Sequence, residues 1–176
     1  LVGMDRQELE FKKLQTKELE ENIRDTMRIP FGRKRIRGTI DLERGVIWGD
    51  RDLLLSLLYN LLDNAVKAVE EGGFILMKGS KRTQGYEIKV VDNGRGIPQE
   101  EIARITEAFY MVDKSRSRKE GGAGIGMALC QKIITLHQGE LKIDSKLGEG
   151  TVMRLYFPGE KHAVKNKSNR GAKGGI

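Results

Sequence analysis

Asn60, Asn64 and Lys67 follow one another at i, i+4 and i+7, so a 3.6-residue period sets them on one polar stripe of a helix. Asparagine is a mediocre helix former, and neither residue sits where a cap would reward it. Amide oxygens can ligate Mg²⁺, which takes oxygen ligands, and a lysine one turn on can meet phosphate charge. An ordinary solvated helix face has the same composition, and the stripe alone does not decide between the two. Asp92-Asn93-Gly94-Arg95-Gly96-Ile97 leaves the end of an apolar run. A carboxylate there can accept a hydrogen bond from an exocyclic amine such as that of adenine. Gly94 and Gly96 let the backbone turn and come close to a flat ligand, although an Asn-Gly turn is common in any case.

Gly121-Gly122-Ala123-Gly124-Ile125-Gly126 runs straight into a helical pattern. A Walker loop would need Lys and Ser/Thr next, where Met127 and Ala128 stand. The third glycine of a dinucleotide fingerprint would fall on Met127 or Gln99, so that reading fails as well. Neither HRD nor DFG of the protein kinases is present. What is left is a glycine hinge at a helix N-terminus, able to offer amides to an anion, or a surface loop. Before it, Phe109-Tyr110 and the alternating cations Lys114, Arg116, Arg118 and Lys119 could pack on a base and reach phosphates, or form an exposed charged loop. Gly148-Glu149-Gly150-Thr151 puts a small hydroxyl ahead of the last strand, or is a bulged turn.

The elements that must position these groups follow from periodicity. Leucines 53, 54, 57, 58, 61 and 62 with Ala65, Val66 and Val69 give a helix from Arg51 to about Glu70, stopped by Gly72-Gly73. Strands are expected at 34–40, 74–79, 86–91, 140–145 and 151–157, and further helices at 99–105 and 125–137. Residues 1–30, closed by Pro30, read as a charged helical segment. The fold class expected is α/β: a two-layer sandwich, a mixed β-sheet with helices on one face. Residues 31–158 form its body and 159–176 a basic, disordered tail.

The net charge of +7 sits mostly in that tail, which carries five basic residues and one acidic one, so nucleic acid is not expected as a partner. No apolar run reaches the ~20 residues of a membrane span, and the first residues lack a secretory layout. With Cys130 alone there is no internal disulfide, and the reducing cytoplasm is the expected compartment, with a membrane anchor elsewhere in a longer parent left open.

Taken in order, the blocks resemble the ATP-binding domain of sensor histidine kinases, in the gyrase, Hsp90, MutL and histidine-kinase ATPase superfamily with its Bergerat ATP-binding fold. Asn60–Lys67 resembles the asparagine box and Asp92–Ile97 the first glycine box. Phe109–Ser117 resembles the phenylalanine box, Gly122–Gly126 the second glycine box, and Gly148–Thr151 the last. The resemblance implies that Asn64 ligates Mg²⁺, Asn60 contacts phosphate or a metal-bound water, and Lys67 meets a phosphate. It implies that Asp92 binds the adenine amine, with Thr151 assisting through water and Gly94, Gly96 and Ile97 lining the base. Tyr110 would neighbour adenine, Lys114 and Arg118 would be lid cations, and Gly122, Gly124 and Gly126, with Ile125 and Met127, would form the hinge beside the nucleotide.

ATP and Mg²⁺ are thus the implied ligands. The implied partners are a histidine-bearing dimerisation domain of a homodimeric parent and a response regulator. Residues 1–5 would be the trailing end of the dimerising helix. Two positions depart from the pattern, Ala68 for an aromatic residue and Ala123 for a threonine. The only histidines are His137 and His162, neither in a phosphoacceptor setting, and His137 reads as a capping or packing residue. A hydrolytic ATPase or serine kinase of the same superfamily, and a nucleotide-sensing module without transfer, remain the rival readings. The hydrolytic relatives carry a glutamate base where this chain has Asn60.

Overall fold

A computed structural model describes residues 8–106 and 123–160. In chain order the elements are β1 (Phe11–Gln15), α1 (Thr16–Arg33), β2 (Arg37–Leu42), β3 (Val46–Asp50) and α2 (Arg51–Ala68). There follow β4 (Phe74–Arg82), β5 (Gly85–Asp92), α3 (Gln99–Thr106), α4 (Ala123–Leu136), β6 (Glu140–Lys146) and β7 (Gly150–Pro158). The main sheet has the order β2-β4-β5-β7-β6; β2 runs parallel to β4 and every other pair is antiparallel. This is the mixed sheet of an α/β sandwich, as expected.

Strict alternation decides which face of the sheet is covered. On β5, Tyr86, Ile88, Val90 and Asp92 are buried while their neighbours are half-buried, and Met153, Leu155 and Phe157 of β7 share the covered side. Against that face lie Leu54, Leu57, Leu58, Leu61 and Leu62 of α2 and Cys130, Ile133 and Ile134 of α4, in one continuous core. On the open face Lys78, Lys89, Arg154 and Lys142 stand in one cross-strand row. Asp50 opens α2 by accepting from the Leu53 N–H at 3.1 Å, the side-chain cap that an Asp before a leucine-rich run supplies.

The N-terminal region departs from the expectation. Phe11–Gln15 is a strand paired antiparallel with β3 (Leu14 opposite Ile47), and α1 runs through residue 30 to Arg33. Pro30 lies in the last turn, where it forfeits a backbone bond without ending the helix. Leu14, Leu19, Ile23 and Met27 belong to the common core, so residue 30 lies inside an element and not between two units. Polar straps hold α1 down as well. Glu20 accepts from the Leu42 N–H at 2.7 Å, Thr16 donates to the Glu43 carbonyl at 2.8 Å, and Arg24 donates to the Ile40 carbonyl. Burial works to raise the Glu20 pKa, but the Leu42 N–H, Lys17 and Arg24 outweigh it and hold the carboxylate below its ordinary value. Because α1 also leans on α2, Leu55 is buried although it lies off the expected leucine stripe.

Candidate functional site

Two loops and two helices meet at the upper end of β5 and β7. Asp92 ends β5 on the covered face, opposite Thr151 of β7. Its carboxylate accepts from the Gly94 N–H at 2.8 Å, and the Thr151 N–H also stabilises it. Burial nevertheless dominates and pushes the Asp92 pKa above the ordinary carboxylate value. The loop that follows is stitched on both sides. Arg95 N–H donates to the Ala68 carbonyl at the end of α2, and Gly148 N–H donates to the Arg95 carbonyl. Ile97 N–H donates to Ser145 Oγ at 2.8 Å, and Gln99 Nε2 to the Ser145 carbonyl at 3.0 Å. A Cβ on Gly94 would lie 2.7 Å from the Ala68 backbone, and Gly96 has φ +73° against the Lys146 carbonyl. The small Ala68 therefore lies directly under the loop.

On α2 the Asn60 amide donates to the Ser56 carbonyl at 2.8 Å, and the Asn64 amide donates to Met127 Sδ at 3.4 Å. Each amide uses one N–H on the protein and keeps its oxygen as an acceptor. Both amide groups border the same space: a Cβ placed on Gly126 would lie 3.5 Å from Asn60 Oδ1 and 3.7 Å from both Oδ1 and Nδ2 of Asn64. Gly126 thus borders the two amide groups without a side chain between them, and their oxygens are of the kind that a hard cation shared with phosphates takes. Lys67 is half-exposed and paired with Asp63 at 2.8 Å, a surface i,i+4 pair that a stronger anion can displace. Among the described residues no cluster of three or more His, Cys, Asp or Glu could hold a metal.

The structure thus brings Asn60, Asn64, Gly126 and Met127 together in one cluster, and Asp92, Gly94, Gly96, Ile97 and Thr151 in another. Gly124 and Ile125 lie in the first turn of α4, which begins at Ala123, two residues before the expected start. Gly124 is therefore helical ahead of the expected start, and Gly126, expected both in the helix and in the hinge, is helical as well. Tyr110, Lys114, Arg118 and Gly122 lie outside the described residues. Sequence reasoning missed Ser145, buried and hydrogen-bonded to Thr151 Oγ at 2.7 Å. Its signal was a polar residue on the alternation of Leu141 and Ile143 at a strand end.

His137 is buried beyond the end of α4. Its Nε2 accepts from the Asp50 N–H at 3.1 Å and its Nδ1 donates to the Ile133 carbonyl at 2.8 Å. The ring stacks on Phe11 at 4.9 Å, meets Phe157 edge-on, and abuts Gly49, where a Cβ would collide with it. Burial lowers its pKa despite these partners, so both nitrogens are committed in a neutral ring. It packs and caps, and it is no phosphoacceptor.

Residues 49–161 match the family model described as Histidine kinase-, DNA gyrase B-, and HSP90-like ATPase. The Adaptive-response sensory kinase SasA of Thermosynechococcus vestitus is 34% identical over 157 residues, 88% of this chain and 41% of that protein. The Sensor histidine kinase RppB of a Synechocystis species is 37% identical over 120 residues, 67% of this chain and 26% of that protein. The chain therefore spans less than half the length of either relative. Among solved structures, full-length ShkA in complex with AMPPNP superposes with a TM-score of 0.71 at 26% identity, covering 89% of this chain and 33% of that one. The stitched Asp92 loop, the converging asparagines and the matched span together place this chain in the histidine kinase-, DNA gyrase B- and HSP90-like ATPase family, as an ATP-binding domain of the sensor histidine kinase kind.

Proposed function

We propose that the chain binds Mg–ATP and presents the γ-phosphate to a histidine on another domain of a dimeric sensor kinase, which then supplies a response regulator. The observation that carries this reading is the meeting of the Asn60 and Asn64 side-chain amides beside Gly126 in the first turns of α4. Bound there, Mg²⁺ would neutralise phosphate charge as the transferred group loosens from ADP. Asn64 is its protein ligand and Asn60 a contact to phosphate or metal-bound water. Lys67 exchanges Asp63 for a phosphate, and the first turn of α4 offers backbone amides at a positive helix end. Asp92, its acceptor atoms fixed by the Gly94 and Thr151 amides, holds the amino group of the base.

Two features favour transfer over hydrolysis. Position 60 carries an amide, which cannot take a proton from water at neutral pH, and Asp63 is a half-exposed surface partner of Lys67. His137 has both ring nitrogens engaged, which supports an acceptor histidine on a separate domain.

The test is calorimetric titration of the parent chain and of Asn64→Ala with ADP and AMPPNP, with and without magnesium. The parent binds more tightly with magnesium. Asn64→Ala loses about tenfold or more in affinity and most of the metal dependence. Equal affinity and equal metal dependence in the two proteins would remove the role assigned to Asn64.

A further inference from the structure

Ser145 is not itself assigned to the nucleotide, yet it controls the polarity of a residue that is. Its hydroxyl has three neighbours. Ile97 N–H donates to it at 2.8 Å, the Gly150 carbonyl lies at 2.9 Å, and Thr151 Oγ lies at 2.7 Å. A serine hydroxyl has one proton to give and two lone pairs to receive with. The Gly150 carbonyl can only accept. All three contacts hold together in one arrangement: Ser145 donates to Gly150, and it accepts from Ile97 and from the hydroxyl of Thr151. The Thr151 proton is then spent inward, and Thr151 Oγ offers only lone pairs to the site beside it. Next to it on the same face, the Asp92 carboxylate is also acceptor-only when ionised.

We propose that Ser145 is a specificity-determining positioning residue, which makes the base end of the site an acceptor-only edge and so selects a 6-amino purine over a 6-oxo purine. The proposal rests on the nucleotide-binding reading above and adds the origin of base choice. Adenine turns an N6 amino donor to such an edge, directly or through a water, whereas guanine turns its O6 acceptor to it. Facing lone pairs with a carbonyl leaves buried acceptors unpaired, which discriminates more strongly than a merely missing contact. Were the Thr151 hydroxyl released, it could rotate and donate to O6, and the site would tolerate either base.

The experiment is a double-mutant cycle read by calorimetry with Mg–ADP and Mg–GDP on the parent, Ser145→Ala, Thr151→Val and the pair. The parent prefers ADP. Ser145→Ala lowers the ADP:GDP affinity ratio about tenfold, and in the Thr151→Val background it lowers the ratio no further. A structural role alone, loosening the Ile97 loop, weakens both nucleotides by the same factor and leaves the ratio unmoved. That result, or full additivity of the two substitutions in the ratio, overturns the proposal. Should Ser145→Ala fail to show the cooperative unfolding of the parent, Ser145→Cys takes its place in the cycle, with the same two outcomes. A parent that binds neither ADP nor GDP refutes the nucleotide site itself. A parent that binds ADP, with a ratio insensitive to Ser145, refutes only the role of Ser145.

Discussion

Replacing His137 by Gln tests whether a buried neutral imidazole sets the pH response of this fold. In the native protein the ring is held neutral by burial, because Nε2 must stay an acceptor for the Asp50 N–H. In the unfolded chain it titrates near its ordinary value of 6.5. The native pKa is lowered, so below pH 6.5 the unfolded state holds more protons than the native state and stability falls with falling pH. If the native ring stays neutral throughout, protonation of the unfolded chain alone removes at most about 1.4 kcal/mol between pH 7.5 and 5.5. Asp92 acts in the opposite sense, since its raised pKa makes the native state the stronger proton binder, but it is present in parent and variant alike. Glutamine can still accept from Asp50 without titrating, while losing the stack on Phe11, and starts about 1–2 kcal/mol less stable at pH 7.5. Urea unfolding followed by the emission of Trp48, the sole tryptophan, supplies the free energies. The parent loses stability from pH 7.5 to 5.5 and the variant loses less. Parallel lines for the two proteins would refute the account.

Two further substitutions address the base loop. Asp92→Asn keeps an acceptor for the Gly94 N–H and removes a buried charge; its thermal midpoint should equal or exceed that of the parent while ADP affinity falls at least about tenfold by calorimetry. A variant clearly less stable than the parent would show that the buried carboxylate is a net stabiliser. Gly96→Ala forces a side chain into φ +73° and against the Lys146 carbonyl, at a cost of about 2 kcal/mol or more, which calorimetric melting should show as a drop of roughly 5 °C. An unchanged midpoint would mean that the loop relaxes around the new methyl group.

Much of this was legible because the periodic signals were strong. The leucines of α2 and the alternation in β5 and β7 each carried enough repeats to fix an element and its buried side. The strand Phe11–Gln15 escaped because five residues with two apolar side chains give no usable period, and its partner β3 lies more than thirty residues away. Pro30 was read as a stop, although near a helix end the loss of a backbone bond can be absorbed. The asparagine stripe announced its residue types, but not that Asn60 bonds the Ser56 carbonyl and Asn64 bonds Met127, or that both amides meet beside Gly126. Those depend on the placement of α4 against α2, a tertiary fact. Ser145 broke an apolar alternation, but its importance was hidden for a related reason, since it lies in partners from two segments, Ile97 and Gly150-Thr151.

Helices α2 and α4 run antiparallel, and each is fastened to the other at both ends. Asn64 meets Met127 at one end, and the Asp50 backbone meets His137 at the other. Some ten residues, about 15 Å of helix, separate Met127 from His137. The width of the gap above Gly126 is therefore set partly by a side chain remote from it, as a strut's far bolt sets the opening of a clamp. A change at the imidazole should register as altered magnesium coupling well before the molecule unfolds.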